Sequence, residues 1–439
     1  MLKTLANAWK TPDLKKKMIF TMIIILLYRI GSNIPVPYVN ALAVEQSFSA
    51  YAGTIFDYLT MLSGSGFAQA NLFALSVSPY ITAQIVIQLL TIAIPALEKL
   101  SKEGEEGRRK INQITRVVTI ALSIVTAYGY YNLLSHTDGI LLSDGKKPFA
   151  MIVMIACYCA GSSLVMWLAE KIDEHGIGNG VSMILFVNIL SGGAQMATQI
   201  LALIQRGGFT NIFFSVLSIV IMLAVTVLVV FITNSERRIP VQYAKRVVGR
   251  KMYGGQSSHI PIKVNMSGVL PVIFASSILS LPSTVQMFVD VKADSFWGKF
   301  FNVFTTEHWA YTLIYFVLII FFAYFYSSIQ YNPIEMANNL AKNSGTIPGV
   351  RSGRPTSDYI AKVISKIVLL GALLLSVVAL FPIIYSQLTT VLCKALDLER
   401  GVSISLGGTS IIILVGVAIE TVRQLESQMM MRHYKGFLD

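Results

Sequence analysis

The stretch that decides the fold is Thr54–Pro95, with the sequence TIFDYLTMLSGSGFAQANLFALSVSPYITAQIVIQLLTIAIP. Its first part, Ile55–Leu62, is apolar but too short to span a bilayer. Its second part, Leu72–Ile94, is long enough to cross one, yet it contains Pro79 and a row of hydroxyl and amide side chains. Lipid offers such groups no hydrogen-bond partner, so they should face protein or water. The pattern predicts a short re-entrant segment that folds into a cavity lined by the second helix. The polar row comprises Ser76, Ser78, Thr82, Gln84, Gln88 and Thr91.

The composition points to a polytopic membrane protein. Of the 439 residues, 54% are hydrophobic and only 13% are charged, against about 25% charged in average soluble domains. In such a protein the net charge of +12 belongs first to the loops between spans rather than to a nucleic-acid-binding domain. Cys157 and Cys159 lie in an apolar segment without a nearby histidine, so neither a metal nor another cofactor is expected.

The fold class predicted from hydropathy is all-α, with ten transmembrane helices. Each crossing of the bilayer by a helix needs about 20 apolar residues. Several of the segments contain proline, glycine or glutamine, which indicates a helix bundle with a functional interior. The predicted spans are 18–36, 72–95, 117–134, 149–169, 181–204, 212–233, 268–289, 310–331, 362–386 and 406–425.

Loop charges predict the orientation. The N-terminus, the C-terminal tail and every second loop together carry 27 Lys and Arg residues, whereas the opposite loops carry 7. This bias places both termini in the cytoplasm. Five predicted spans precede the loop Arg206–Gly208 and five follow it, so the chain divides into an N-terminal half, 1–205, and a C-terminal half, 206–439. An odd number of spans per half is compatible with two inverted halves around a central path.

Two predicted cytoplasmic loops are longer than a connection requires. In the first, about 234–267, Val, Tyr and Ile alternate with basic residues, which predicts a projecting β-hairpin. In the second, about 331–362, Pro348-Gly349 precedes Arg351 and predicts a tight turn that presents this arginine. Basic protruding loops can bind acidic protein surfaces or RNA phosphates, so we expect them to dock a partner.

Enzyme chemistry has little support in the sequence. The glycine-rich turn Gly176–Gly180 lacks the strand–helix context of a nucleotide site, and the five histidines are scattered among loops. Ion-coupled transporters generally need carboxylates near the middle of the membrane, and Asp57, Glu170 and Glu420 lie elsewhere. This favours a passive conduit over a small-solute secondary transporter with inverted repeats, which remains the alternative. Arg29, inside the first span, should face protein, water or an interface.

Nine ordered stretches are similar to one known family, the SecY/Sec61-alpha channel subunits of the Sec protein translocase. The resemblance covers essentially the whole chain. It implies a channel that passes unfolded secretory polypeptides across the bacterial plasma membrane and releases transmembrane segments sideways into it. The stretches are Arg29–Ser32 with Ile34–Pro37, Pro79–Ile81 with Ile87–Leu90, Glu103–Gly104 with Gly107–Ile111, Gly176–Gly180, Tyr243–Arg246, Pro261–Met266, Asn332–Pro333, Ile347–Arg351 and Gly407–Ser410.

The resemblance further implies a clamshell of two five-helix halves around an hourglass pore. A ring of branched aliphatic side chains would close the pore, because such side chains cannot hold an ion or its hydration shell. The ring would comprise Val77, Ile81, Val181, Leu185, Ile273 and Ile413. A plug of about residues 55–67 would block the pore beneath the ring. Its predicted residues are Ile55, Phe56, Leu59, Met61, Leu62, Gly64, Gly66 and Phe67.

A lateral gate would lie between the second and third spans and the seventh and eighth. Its polar residues would be Thr82, Gln88, Thr91, Ser276, Ser277 and Ser280. The implied docking residues for the ribosome or the motor ATPase SecA are Arg238, Lys245, Arg246, Arg250, Lys251, Arg351 and Arg354. Other implied partners are the subunits SecE and SecG, signal sequences and membrane lipid. Ser352 and Tyr38 depart from the family pattern, which puts only the local turn geometry in doubt.

Overall fold

Helices dominate the computed structural model of the chain. It describes residues 2–40, 43–44, 60, 63–137, 139–142, 145, 147–205, 209–243, 246–248, 251–253, 257–266, 268–286, 295–304, 308–395 and 408–435. The helices are α1 (Leu2–Lys10), α2 (Pro12–Gly31), α3 (Ser78–Ala93), α4 (Pro95–Lys102), α5 (Glu105–His136), α6 (Pro148–His175), α7 (Gly180–Gln205), α8 (Phe209–Asn234), α9 (Leu270–Gln286), α10 (Phe296–Val303), α11 (Trp309–Gln330), α12 (Pro333–Lys342), α13 (Arg354–Ala395) and α14 (Gly408–Lys435). The strands are β1 (Glu236–Tyr243), β2 (Arg246–Val248), β3 (Lys251–Tyr253), β4 (Ser257–Lys263) and β5 (Gly345–Thr346).

Each of the ten predicted spans overlaps a helix. Within the described residues, five helices are long and apolar enough to cross a membrane unaided, namely α5, α6, α8, α11 and α13. Helices α3 and α4 are together long and apolar enough for a sixth crossing, but their axes differ by 101°, so the pair is either a broken span or a re-entrant loop. Helices α7 and α9 contain shorter apolar stretches, Gly180–Gly193 and Leu270–Pro282.

The second predicted span, 72–95, is wrong at its start. Residues 72–77 form turns, and α3 begins at Ser78, so Pro79 lies in the first helical turn rather than in the helix interior. Proline is accepted there because its missing N–H has no helical partner. The helix breaks at Ile94, which takes the extended conformation favoured before Pro95. At 16 residues, α3 is about 24 Å long and shorter than a bilayer core.

The two long loops form one antiparallel sheet in the order β4-β1-β5. The predicted hairpin is confirmed, since β1 pairs with β4 with Arg237 opposite Ile262. Within it, β2 and β3 form a second small hairpin. The pairing of β1 with β5, with Gln242 opposite Thr346, joins the second loop to the first and was not predicted. The second loop is also more structured than predicted, because it contains α12 and the first turns of α13.

Helix packing follows the same order twice along the chain. In the first part, α3 packs on α5, α5 on α6, α6 on α7, and α2 on both α6 and α7. In the second part, α9 packs on α11, α11 on α13, α13 on α14, and α8 on both α13 and α14. The two groups meet through α3 with α9 on one side and through α7 with α8 and α14 on the other. The candidate site lies between these groups.

Candidate functional site

Six branched aliphatic side chains converge where the two helix groups meet. Val77 immediately precedes α3, and the others lie on α3, α7, α9 and α14. All six belong to, or pack against, the largest apolar cluster in the described part of the chain. Five of them are at most 5% exposed. Five of the residues predicted for the ring also line one cavity, and Val77 belongs to the same cluster. The five are Ile81, Val181, Leu185, Ile273 and Ile413.

A cavity of about 300 Å³ opens against one side of this constriction. Its lining includes every ring residue except Val77. It lies on the same side as the sheet, because Met266 and Gly268, from the connection between β4 and α9, also line it. The remaining wall is mostly polar and uncharged, with a single carboxylate. Those polar residues are Gln84, Gln88, Asn179, Ser182, Tyr326, Gln330 and Glu420.

A second cavity, of about 460 Å³, opens on the far side of the constriction. Along α7, residues 179–185 reach the sheet-side cavity, whereas Val187, Leu190 and Ser191 line the far-side one. Along α7, these aliphatic side chains therefore lie between two cavities with polar residues in their walls, about one helical turn apart. Such a layer resists water and ions, because no side chain in it can replace a hydration shell. The far-side lining also includes Arg29, Ser32, Asn33, Gly64, Ser65 and Gln69.

Arg29 faces protein and a cavity, as the sequence predicts. Its Nη2 donates a hydrogen bond of 2.7 Å to the backbone carbonyl of Val187. The guanidinium therefore ties the end of α2 to the middle of α7, beside the far-side cavity. Ser32 and Asn33 donate to the carbonyl of Arg29 and so close the last turn of α2.

The turns at 63–77 contact α7 and line part of the far-side cavity. Gly64 has a φ of +62°, and a Cβ there would lie 2.7 Å from Oδ1 of Asn188 on α7. Phe67 is buried against Tyr130, whose hydroxyl donates a 2.5 Å hydrogen bond to the Phe67 carbonyl. Of the predicted plug residues, Gly64, Gly66 and Phe67 belong to this segment. The others lie outside the described residues: Ile55, Phe56, Leu59, Met61 and Leu62.

The predicted gate residues lie on α3 and α9, which are in contact. Four of their hydroxyls donate to a carbonyl of their own helix three or four residues earlier, at 2.7–3.1 Å. These are Thr82, Thr91, Ser276 and Ser280. Such bonds do not require a partner across the seam. Gln88 differs, because its Oε1 is buried without a hydrogen-bond partner in the described structure.

The predicted docking residues lie at the sheet and the following turn. Arg238 on β1 is exposed and pairs with Glu236 at 2.7 Å. Arg351 and Arg354 are exposed, and Gly349, with a φ of +81°, forms the predicted turn before Arg351. Lys245 and Arg250 lie outside the described residues, and only the backbone is described for Arg246 and Lys251.

At the base of this sheet, Lys263 on β4 lies close to Glu420 and Arg423 in the middle of α14. Burial lowers the pKa of its ammonium group, and the guanidinium of Arg423 lowers it further. The carboxylates of Glu420 and Glu236 oppose this shift. Arg423 also donates to Asn234 Oδ1 at 2.9 Å, so α14, the end of α8 and the sheet base form one charged junction.

The sequence model of the SecY family matches residues 71–422. The chain belongs to the SecY family. Among its relatives, the protein translocase subunit SecY of Streptomyces coelicolor is 41% identical over 452 residues, and that of Mycobacterium tuberculosis is 40% identical over 458 residues. In both comparisons the match covers all of this chain and all of the relative. These relatives are translocase subunits, which favours the channel over the solute-transporter alternative.

Solved structures support the fold of the SecY family. A structure described as a protein conducting channel has a TM-score of 0.64 at 17% identity and covers 94% of this chain and 92% of its own. A Sec61 channel from a canine ribosome-channel complex has a TM-score of 0.60 at 16% identity, with the same coverage. At this level of identity, the likeness concerns the fold alone.

Sequence reasoning did not identify two polar contacts that hold the turns at 63–77. Asn188, in the middle of α7, donates from Nδ2 to the Ser76 hydroxyl at 3.3 Å and adjoins Gly64. Tyr130 holds the carbonyl of Phe67. A buried asparagine in a membrane helix was an available signal, since polar side chains there usually have a defined partner. Nothing in the sequence connects Tyr130 with a residue 63 positions earlier.

Proposed function

We propose that this chain is the channel through which a bacterial translocase passes unfolded polypeptides across the plasma membrane and releases transmembrane segments into the bilayer. The observation that carries this proposal is an aliphatic constriction between two polar chambers, built by helices from both parts of the chain. Flexible aliphatic side chains can part around a polypeptide and close again, while they exclude ions from an empty pore.

The architecture we propose is a ten-helix clamshell with halves 1–205 and 206–439. The repeated order of helix packing supports this division, because α2, α3, α5, α6 and α7 contact one another in the same pattern as α8, α9, α11, α13 and α14. The halves open where α3 and α5 meet α9 and α11, which is the lateral gate. The loop charges support cytoplasmic termini and a cytoplasmic sheet.

The plug comprises residues 55–67 and seals the far-side chamber. The contacts of its last residues support this role, because Gly64 lies against α7 and Phe67 is buried next to the pore wall. An aliphatic ring and a plug in series would keep the membrane tight when no substrate is present.

The sheet and the turn at Arg351 form the docking surface for the ribosome and for SecA, which supplies the energy. Exposed arginines on this face support the proposal, since they suit RNA phosphates and acidic protein surfaces alike. The Sec61 channel in the canine structure is in a ribosome-channel complex. SecE and SecG bind the outside of the two halves.

The test is ion conductance in planar bilayers, comparing the native protein with a variant that lacks residues 55–67. We expect the native protein to be nearly silent and the deletion to open in brief bursts. A second variant, Ile413→Ser, alters the ring and leaves the plug intact. If a protein that combines both changes also stays silent, the plug and ring do not lie along one pore. If the native protein passes a selective solute current, the chain is a transporter and the proposal is wrong.

A further inference from the structure

Helix α10 carries an exposed aromatic face. It connects α9 to α11 at the ends opposite the sheet, because the sheet connects to the start of α9 and the end of α11. Phe296, Trp297 and Phe300 are 77%, 58% and 43% exposed. Their rings lie against one another, with Trp297 6.0 Å from both neighbours by ring centroids. This face is far more apolar than a short surface helix in water would tolerate.

The position of α10 is fixed by the residues that follow it. Phe304 packs against the main apolar cluster and lies 5.3 Å from Phe300 by ring centroids. The end of α10 is therefore attached to the main apolar cluster through the partly buried Phe304, while the aromatic face stays exposed.

The helix that follows α10 in the chain carries its own exposed apolar stripe. Trp309 begins α11 and is 63% exposed. Leu313 and Val317 follow at four-residue intervals with exposures of 66% and 54%, so the three share one helix face. Because α11 is long and apolar enough to span a membrane, this stripe faces lipid. Trp309, at the start of the stripe, marks the boundary between membrane and water.

We propose that α10 is an interfacial helix whose Phe296–Trp297–Phe300 face inserts among the headgroups and upper acyl chains of the leaflet opposite the sheet. Aromatic rings favour this depth, and the sequence of α10 contains no carboxylate that would oppose insertion. The bilayer then holds the connection between α9 and α11 in place. This inference goes beyond the proposed function, because insertion of α10 does not depend on what the pore conducts.

The test is tryptophan fluorescence of the full-length protein in phospholipid vesicles with bromine atoms at defined acyl-chain depths. The chain has four tryptophans. The difference between the native protein and Trp297→Phe isolates the emission of Trp297 with one conservative change. Trp167 on α6, which is 49% exposed within a span, provides the matched control through Trp167→Phe.

We expect Trp297 emission to be blue-shifted, and quenched about twofold more by bromines near the headgroups than by bromines at the chain ends. Trp167 lies two residues from the end of the predicted span 149–169, so it should show the same depth preference and serves as the reference for an interfacial tryptophan. Red-shifted Trp297 emission that aqueous iodide quenches would mean that α10 lies in water, and the proposal would be wrong. Emission insensitive to both quenchers would mean that protein covers α10, either a second copy or a partner, and this would also overturn it.

Discussion

At the scale of single residues, the predicted gate contains a buried polar atom that has no hydrogen-bond partner in the described structure. Gln88 keeps a buried oxygen without a hydrogen bond next to the sheet-side cavity. The neighbouring threonines on α3 satisfy their hydroxyls within the helix. Gln88 is therefore the residue of the predicted gate whose environment in the closed protein is costly, since an unpaired buried amide oxygen costs about 1–3 kcal/mol.

Replacing Gln88 by Leu should stabilise the closed gate. The change removes the unpaired oxygen, and each kcal/mol changes an opening equilibrium about fivefold. We expect export of proteins with weak signal sequences to fall by about this factor relative to strong ones, measured in cells that carry the variant. Gln84→Leu is the control, because Gln84 lines the same cavity without such an atom. Equal or relaxed stringency in Gln88→Leu would contradict this expectation.

Tyr130→Phe should loosen the turns beneath the constriction. The phenol donates to the Phe67 carbonyl at 2.5 Å, and its loss leaves that carbonyl with only the longer bond from the Ala70 N–H at 3.3 Å, at a cost of about 0.5–1.5 kcal/mol. We expect a lower midpoint of thermal unfolding together with brief ion-conducting openings in planar bilayers.

The matched control for Tyr130 is Tyr131→Phe. This buried neighbour donates to the Gly145 carbonyl at 3.4 Å, away from the turns beneath the constriction. It should lower stability less and leave the bilayer silent. If the two variants conduct alike, the Tyr130 bond does not hold the turns.

At the scale of elements, close backbone approaches determine where segments lie. Gly161 on α6 has no room for a side chain, because a Cβ there would lie 2.0 Å from the Leu72 carbonyl oxygen. The turns at 72–77 thus rest directly on α6 and place Val77 at the constriction. Proline then fixes both ends of α3, at Pro79 and at Pro95.

Gly161→Ala should displace the turns at 72–77 and destabilise the protein. Overpacking against a backbone carbonyl typically costs about 1–3 kcal/mol, which would appear as a lower thermal midpoint in detergent. Gly192→Ala on α7 is the control, because a Cβ there meets open space and should gain about 0.5–1 kcal/mol from higher helix propensity. A Gly161→Ala variant as stable as the native protein would show that the turns can move freely.

At the scale of the whole molecule, the predicted ring exists only because four separate segments meet. It is contributed by the residue before α3, by α3 itself and by α7, α9 and α14. The sheet shows the same principle, since β5 closes onto β1 from a loop about 100 residues later. A polypeptide that pushes the two helix groups apart would open both the ring and the seam between α3 and α9.

Ile413→Ser should make the empty pore leak, because one hydroxyl in a narrow aliphatic ring provides water with a hydrogen-bond partner. Ile412→Ser is the matched control, since Ile412 is also buried on α14 but does not line the sheet-side cavity. Both changes should lower stability similarly, while only Ile413→Ser should raise bilayer conductance. Equal conductance in the two variants would contradict the assignment of Ile413 to the ring.

The sequence by itself determined the class of protein, the positions of the ten longer helices and the β-hairpin, but not the four short helices α1, α4, α10 and α12. These follow from local hydropathy, from alternation of residue types and from proline, and each can be read within a short window. For example, residues 310–331 were predicted as a span and α11 occupies Trp309–Gln330. The aliphatic ring could be predicted only by resemblance, because isolated valines and isoleucines in a membrane helix look like ordinary packing.

Only the tertiary structure decided what lies between the helices. It set the start of α3, the pairing of β5 with β1, the contact of Tyr130 with Phe67 and the two chambers around the constriction. Each depends on residues far apart in the chain that satisfy one another's hydrogen bonds or fill one another's space. The hydroxyls of α3 illustrate the physical reason: the sequence shows that they are polar, but whether they bond within their own helix or across a seam depends on the groups that folding brings near them.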